Sequence, residues 1–134
     1  MAHTPRKRFG QNFLIDNQVI NQIISTIAPK SDDNIIEIGP GKGALTLPLS
    51  EYLNHLNVIE IDHDLVSILS AQNNKKITIH NADALTFDFN LFSEKIRIVG
   101  NLPYNISSPL LFHLLSYREN IIDMTFMLQK EVVE

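Results

Sequence analysis

Asn101-Leu102-Pro103-Tyr104 places a carboxamide, a conformationally stiff pyrrolidine ring and an aromatic ring within four residues. An adenine N6 amine is a poor nucleophile because its lone pair is delocalised into the ring. Acceptors that hold its hydrogens out of plane concentrate electron density on nitrogen. The Asn101 amide oxygen and the Leu102 carbonyl suit that task, Pro103 stiffens the turn, and Tyr104 offers a face for an extruded base. No strong base is then required. With the methyl group already on a sulfonium leaving group, alignment and desolvation suffice for in-line transfer. Read alone, the same string is an X-Pro turn closing a strand.

A second group of residues describes what would sit beside it. Glu37-Ile38-Gly39-Pro40-Gly41-Lys42-Gly43 puts glycines at the mouth of a strand, where missing side chains let a ligand approach the backbone. The spacing is G-x-G-x-G, not the G-x-G-x-x-G that seats a dinucleotide pyrophosphate, which disfavours an NAD oxidoreductase. Glu60 lies nineteen residues after Gly41, where an acid accepts hydrogen bonds from both hydroxyls of a ribose. Asp62 and Asp64 are close rivals, since one carboxylate must cap the next helix. Asp83 can accept from the exocyclic amine of an adenine, although a turn aspartate is the bland alternative. Together these residues outline a pocket for an adenosine-containing cofactor. The arm from Arg6 to Leu14 interleaves basic and aromatic residues, which suits contact with RNA or closure over a nucleoside. His3, His55, His63, His80 and His113 show no ligand spacing, so no metal is expected.

These residues need a frame that brings strand ends together. Asp16 caps a helix whose apolar positions Val19, Ile20, Ile23, Ile24 and Ile27 recur at helical spacing before Pro29. Strands are predicted over 34–38, 58–61, 76–80, 96–99 and 122–128, with helices over 44–53, 65–71 and 109–117 between them. Pro109 is expected at the first position of the last helix, capped by Ser107 or Ser108. Strands alternating with helices imply βαβ units and a parallel sheet. Met127 to Glu134 leaves a strand and begins a helix with no further strand, which reads as a chain cut before its sheet is finished.

Composition fits one compact domain: 134 residues, 44% hydrophobic and 19% charged. The absence of cysteine excludes disulfides and thiolate zinc sites and accords with a reducing compartment. No apolar run approaches membrane-spanning length. The net charge of −4 is uneven: residues 1–30 carry four basic side chains and one acid, the remainder seven and fourteen. A duplex-RNA binder would carry a broad basic face, whereas this chain offers a basic N-terminal arm.

The ordered set Arg8 to Leu14, Glu37 to Thr46, Val58 to Asp64, Asn81 to Leu85, Asn101 to Leu115 and Phe126 to Val132 closely resembles the small-subunit rRNA adenine N6,N6-dimethyltransferases. Its specificity resides above all in N-L-P-Y-N-I-S-S-P-L-L-F-H and F-M-L-Q-K-E-V. The resemblance implies a Rossmann-like class I S-adenosylmethionine-dependent methyltransferase fold, α/β, with a mostly parallel sheet and helices on both faces. Residues 1–134 would be the N-terminal part of that domain, stopping before the last strands and lacking a helical C-terminal domain. The implied reaction dimethylates two adjacent adenosines near the 3′ end of small-subunit rRNA, with S-adenosyl-L-methionine as cofactor. By the same resemblance Asn12 and Leu14 line the cofactor, Gly39 contacts its methionine part in the loop shared with Gly41, and Glu60 holds its ribose. Asp83 holds its adenine, and Asn101 links cofactor and target base. The implied partners are small-subunit rRNA or a pre-ribosomal particle, for a cytoplasmic protein that is monomeric at full length. Two alternatives stand beside this one: the related large-subunit rRNA methyltransferases of the antibiotic-resistance type, against which the stretch from Ser107 to His113 argues, and a non-catalytic RNA-binding assembly factor on the same fold.

Overall fold

The computed structural model describes residues 16–129. Helix α1 (Asn17–Ile27) starts where the Asp16 carboxylate accepts the Gln18 amide at 2.9 Å, and ends at Ala28, whose left-handed backbone (φ 49°) turns its N–H to the Ile24 carbonyl at 2.8 Å. Ile20, Ile23, Ile24 and Ile27 fall on one face and are buried, each contributing roughly 1.5–3 kcal/mol. The helix docks on a sheet, because a stripe of four isoleucines over about two turns has no other way to leave water.

Five strands follow: β1 (Ile35–Ile38), β2 (Leu56–Glu60), β3 (Ile77–Asn81), β4 (Ile96–Pro103) and β5 (Ile121–Gln129). All pairs are parallel, in the order β3-β2-β1-β4-β5. Helices α2 (Thr46–Ser50) and α3 (His63–Ala71) connect β1 to β2 and β2 to β3, while α4 (Tyr104–Leu115) connects β4 to β5. Alternate strand residues serve opposite faces. Ile35, Leu56, Val58 and Val99 pack with α1, Leu49 of α2 and Leu69 of α3, whereas Ile36, Ile38, Ile59, Ile96 and Ile98 pack with Phe89 and with Leu110 and Leu114 of α4. Helices therefore cover both faces, as expected for a doubly wound sheet. Strand order reverses between β1 and β4, which places the ligand crevice at the carboxyl ends of those two strands. At the opposite end Arg97 ties three elements together, donating to Asp33 at 2.8 Å, to Asp123 at 2.9 Å and to the Ile27 carbonyl. β5 forms one edge, with Ile122, Met124 and Leu128 exposed.

Three elements differ from the sequence reading by three or more residues at one end. The helix expected over 44–53 is regular only over Thr46–Ser50, because its end tightens: Glu51, Tyr52 and Leu53 donate to carbonyls three residues back, and the Ser50 hydroxyl donates to the Leu47 carbonyl at 2.7 Å. β4 does not stop at Val99 but runs to Pro103, since β5 is long enough to keep pairing, through Asn101↔Met127 to Pro103↔Gln129. And α4 starts at Tyr104, so Pro109 lies inside it and Ser107 and Ser108 are interior residues, not caps. Pro109 forgoes only the bond to the carbonyl four residues earlier, Asn105, which belongs to the first turn.

Glu37 stands out in the core, 1% exposed, with its Oε1 accepting the Thr46 hydroxyl at 2.6 Å. That bond ties β1 to the first residue of α2 and so sets the span of the glycine loop between them. Burial pushes the Glu37 carboxyl up from its ordinary 4.5 to about 7, with the Thr46 bond opposing and the Glu60 charge adding to the rise. The folded protein thus keeps a proton that the unfolded chain releases, and this group's contribution to stability falls as pH rises from 4.5 to about 7 and is level above that. Glu37→Gln keeps the shape and removes the titration. Relative to wild type it should gain on the order of 3 kcal/mol in denaturant unfolding on going from pH 5 to pH 8; a wild-type-minus-variant difference that is the same at both pH values would show that Glu37 does not titrate in this way.

Candidate active site

Three loops at the carboxyl ends of β1, β2 and β3 and the last residues of β4 enclose a cavity of about 610 Å³. Gly39, Gly41, Glu60, Asp83, Asn101, Leu102 and Pro103 all line it, so the structure brings together seven of the residues singled out from the sequence. Tyr104 follows directly as the first residue of α4. Asn12, Leu14 and the rest of the arm from Arg6 lie outside the described residues. Glu37, although at the head of the glycine motif, does not face the cavity; its side chain turns inward to Thr46.

The glycine loop owes its shape to backbone that only glycine adopts without strain. Gly39 has φ +70°, and a Cβ there would sit 3.5 Å from the Asn101 carbonyl oxygen, so the loop runs close against the end of β4. Gly41 has φ +61°, and its N–H donates to Glu60 Oε1 at 3.2 Å. The second Glu60 oxygen accepts the Asp62 amide at 3.1 Å. Glu60 is 7% exposed, and each carboxylate oxygen, holding one backbone donor, keeps a further lone pair for a hydroxyl.

This geometry places the three rival acids differently, with Asp62 as well as Glu60 in the cavity lining. Asp62 caps α3, accepting Asp64 N at 2.8 Å and Leu65 N at 3.3 Å, while Asp64 is exposed in the first turn of that helix and lies away from the cavity. Glu60 alone combines burial, cavity exposure and a strand end. Asp83 is half-buried; its Oδ1 accepts the Leu85 amide at 2.9 Å, and its Oδ2 has no partner among the described residues. The bland reading of Asp83 as a turn residue is therefore true of one oxygen and leaves the other for a donor in the cavity.

Asn101 is the outlier. It is 8% exposed, it lines the cavity, and its carboxamide makes no hydrogen bond among the described residues. A buried polar side chain with no partner costs about 1–3 kcal/mol, so it calls for a ligand group to complete it. Register explains why it is open. β1 pairs with β4 only as far as Ile38↔Gly100, so beyond Gly100 the β4 edge on that side is unpaired and faces the crevice.

Several contributors escaped the sequence reading. Asn81 donates from Nδ2 to the carbonyls of Glu60 and Ile61 at 2.9 and 3.2 Å, tying the loops after β2 and β3 together. Ile59, Leu85 and Ile106 supply apolar walls, and Lys42 is the one cation of the cavity lining among the described residues. Only Asn81 carried a signal, as an amide at a strand end; apolar walls cannot be told from core by spacing. No group of three potential metal ligands and no helix long and apolar enough to cross a membrane occur among the described residues.

The chain has clear relatives. It is 60% identical over its full length to the ribosomal RNA small subunit methyltransferase A of Nitrosomonas europaea, covering 52% of that protein. Among solved structures, it superposes on the 23S rRNA methyltransferase ErmE with a TM-score of 0.73 at 31% identity, covering 84% of this chain and 47% of that one. A dimethyladenosine transferase from Plasmodium falciparum gives 0.69 at 30% identity, covering 84% and 42%. The fold is that of the Rossmann-like class I methyltransferases. The chain spans about half the length of the curated relatives it matches. With the family model for ribosomal RNA adenine dimethylase matching residues 2–134, the chain belongs to that family.

Proposed function

We propose that residues 1–134 form the cofactor-binding N-terminal part of an S-adenosylmethionine-dependent adenine dimethylase acting on two adjacent adenosines near the 3′ end of small-subunit rRNA. The observation that supports the reading is the Asn101 carboxamide, which has no partner among the described residues and is buried beside a glycine loop that a cofactor can approach closely. The residues present fit the cofactor. Glu60 offers two oxygens to a ribose, Asp83 Oδ2 can accept from an adenine amine, and the glycine loop leaves room for a methionine chain. When bound, S-adenosylmethionine supplies an electrophilic methyl group on a good leaving group.

The chain's own task is alignment. Asn101 Oδ1 and the Leu102 carbonyl accept the two hydrogens of the target amine and turn its lone pair toward the crevice. The apolar walls from Ile59, Leu85 and Ile106 exclude water from the transfer path. The proton released on methylation needs no dedicated base, because the N-methylated cation is a strong enough acid to give it to solvent water. Tyr104, Asn12 and Leu14 complete the proposal, the first as a platform for the base and the other two over the cofactor. The partner is rRNA or a pre-ribosomal particle, and the full-length protein is a cytoplasmic monomer. The high identity to small-subunit enzymes, against 31% to ErmE, favours the small-subunit substrate.

Full-length protein incubated with small- and large-subunit rRNA should block primer extension at adjacent adenosines of the small subunit; modification confined to the large subunit would reassign the substrate. Asn101→Ala should slow single-turnover transfer on the order of 100-fold. An unchanged rate in that variant would remove Asn101 from the chemistry, whereas no transfer by the wild type to either rRNA would leave the RNA-binding, non-catalytic alternative standing.

A further inference from the structure

The loop that carries Asp83 belongs to no strand or helix up to Phe89, yet it must hold a carboxylate oxygen in position over a cavity. Its first turn is local: the Thr86 amide and hydroxyl both donate to the Asp83 carbonyl, at 3.1 and 3.3 Å. The next anchor is not local. The Phe87 carbonyl accepts His113 Nε2 at 2.7 Å and the Tyr117 hydroxyl at 3.4 Å. His113 sits in α4 and Tyr117 just beyond it. The helix that begins at Tyr104, straight after Asn101-Leu102-Pro103, thus reaches across at its far end to hold the loop behind Asp83.

Aromatic packing fixes the same joint. The fully buried Phe89 lies 5.0 Å from the Phe87 ring, 6.0 Å from His113 and 5.5 Å from Tyr117, centroid to centroid, and His113 and Tyr117 meet edge to face at 5.3 Å. A ring packed between aromatics has little freedom to swing, so the Nε2–H is pre-aimed at the carbonyl. A carbonyl, having no proton, also sets the role of the ring nitrogen: Nε2 must donate.

We propose that His113 is a positioning residue which, by donating to the Phe87 carbonyl, locks the Asp83–Phe87 loop and so sets the pocket's preference for an adenine bearing an exocyclic amine. The inference rests on the assignment of Asp83 to that amine. His113 touches neither cofactor nor RNA in this account, and acts through the loop.

The test uses two probes on the full-length protein, S-adenosylhomocysteine and its inosine counterpart, S-inosylhomocysteine, which differ in that amine and the ring proton beside it. Wild type should bind the adenine form ~10-fold or more tightly, and His113→Asn, polar but too short to reach Phe87, should narrow the preference to about threefold or less, mainly by weakening the adenine form. His113→Gln, which can extend an amide N–H to the former Nε2 position, should restore most of it. Equal loss of both ligands in His113→Asn would mark a purely structural histidine and overturn the proposal, as would an undiminished preference. If wild type bound both ligands alike, the assignment of Asp83 itself would fail, and this inference with it.

Discussion

The site exists because strand pairing ends unevenly. β1 leaves the sheet at Ile38, directly opposite Gly100, while β4 continues with β5 for three more residues. A Cβ on Gly100 would sit 3.0 Å from the Ile38 carbonyl oxygen, so the two backbones approach closely up to the point where they part. Past that point Asn101, Leu102 and Pro103 are held straight from one side and open on the other. A strand paired on one edge holds the Asn101 and Leu102 backbone in register more tightly than an unpaired loop would.

Around that open edge the polar groups divide into two kinds. Glu60 and Asp83 are partly satisfied by backbone amides and keep spare acceptor capacity, which fixes their direction before any ligand arrives. The Asn101 carboxamide makes no hydrogen bond among the described residues and keeps its whole donor and acceptor capacity for what enters the cavity. Glu37, a few residues from the cavity, is spent on structure: burial keeps its carboxyl largely protonated below about pH 7, and its bond to Thr46 holds the glycine loop between two fixed ends. The chemistry assigned to the pocket asks for acceptors, close backbone and little else, and those are the features present.

Much of this was legible in the chain because it follows from local rules. The isoleucine stripe and Asp16 cap of α1, the β-branched run at Ile35–Ile38 and the positive-φ glycines after it are each dictated by neighbours in sequence. What was not legible depends on partners far along the chain. Asn101 was expected just after a strand, and lies within one because β5 extends it. Pro109 was expected to open a helix, and lies inside α4 because Pro103, with ψ 143°, ends the strand and lets the helix start at Tyr104. Glu60 could be preferred over Asp62 from the sequence, but that Asp62 caps α3 while both acids line the cavity depends on the fold. His113 belonged to a recognisable string with no assigned task, since its partner carbonyl lies twenty-six residues earlier.

The proposed cofactor pose in this cavity puts the S-adenosylmethionine ribose on Glu60. Calorimetric titration of the full-length protein and its Glu60→Ala variant with S-adenosylhomocysteine tests it most directly. One site per chain in the wild type, weakened on the order of 10- to 100-fold in the variant through loss of two charge-assisted hydrogen bonds, is the result expected. Equal affinity in the two proteins, or no binding to the wild type, would contradict it.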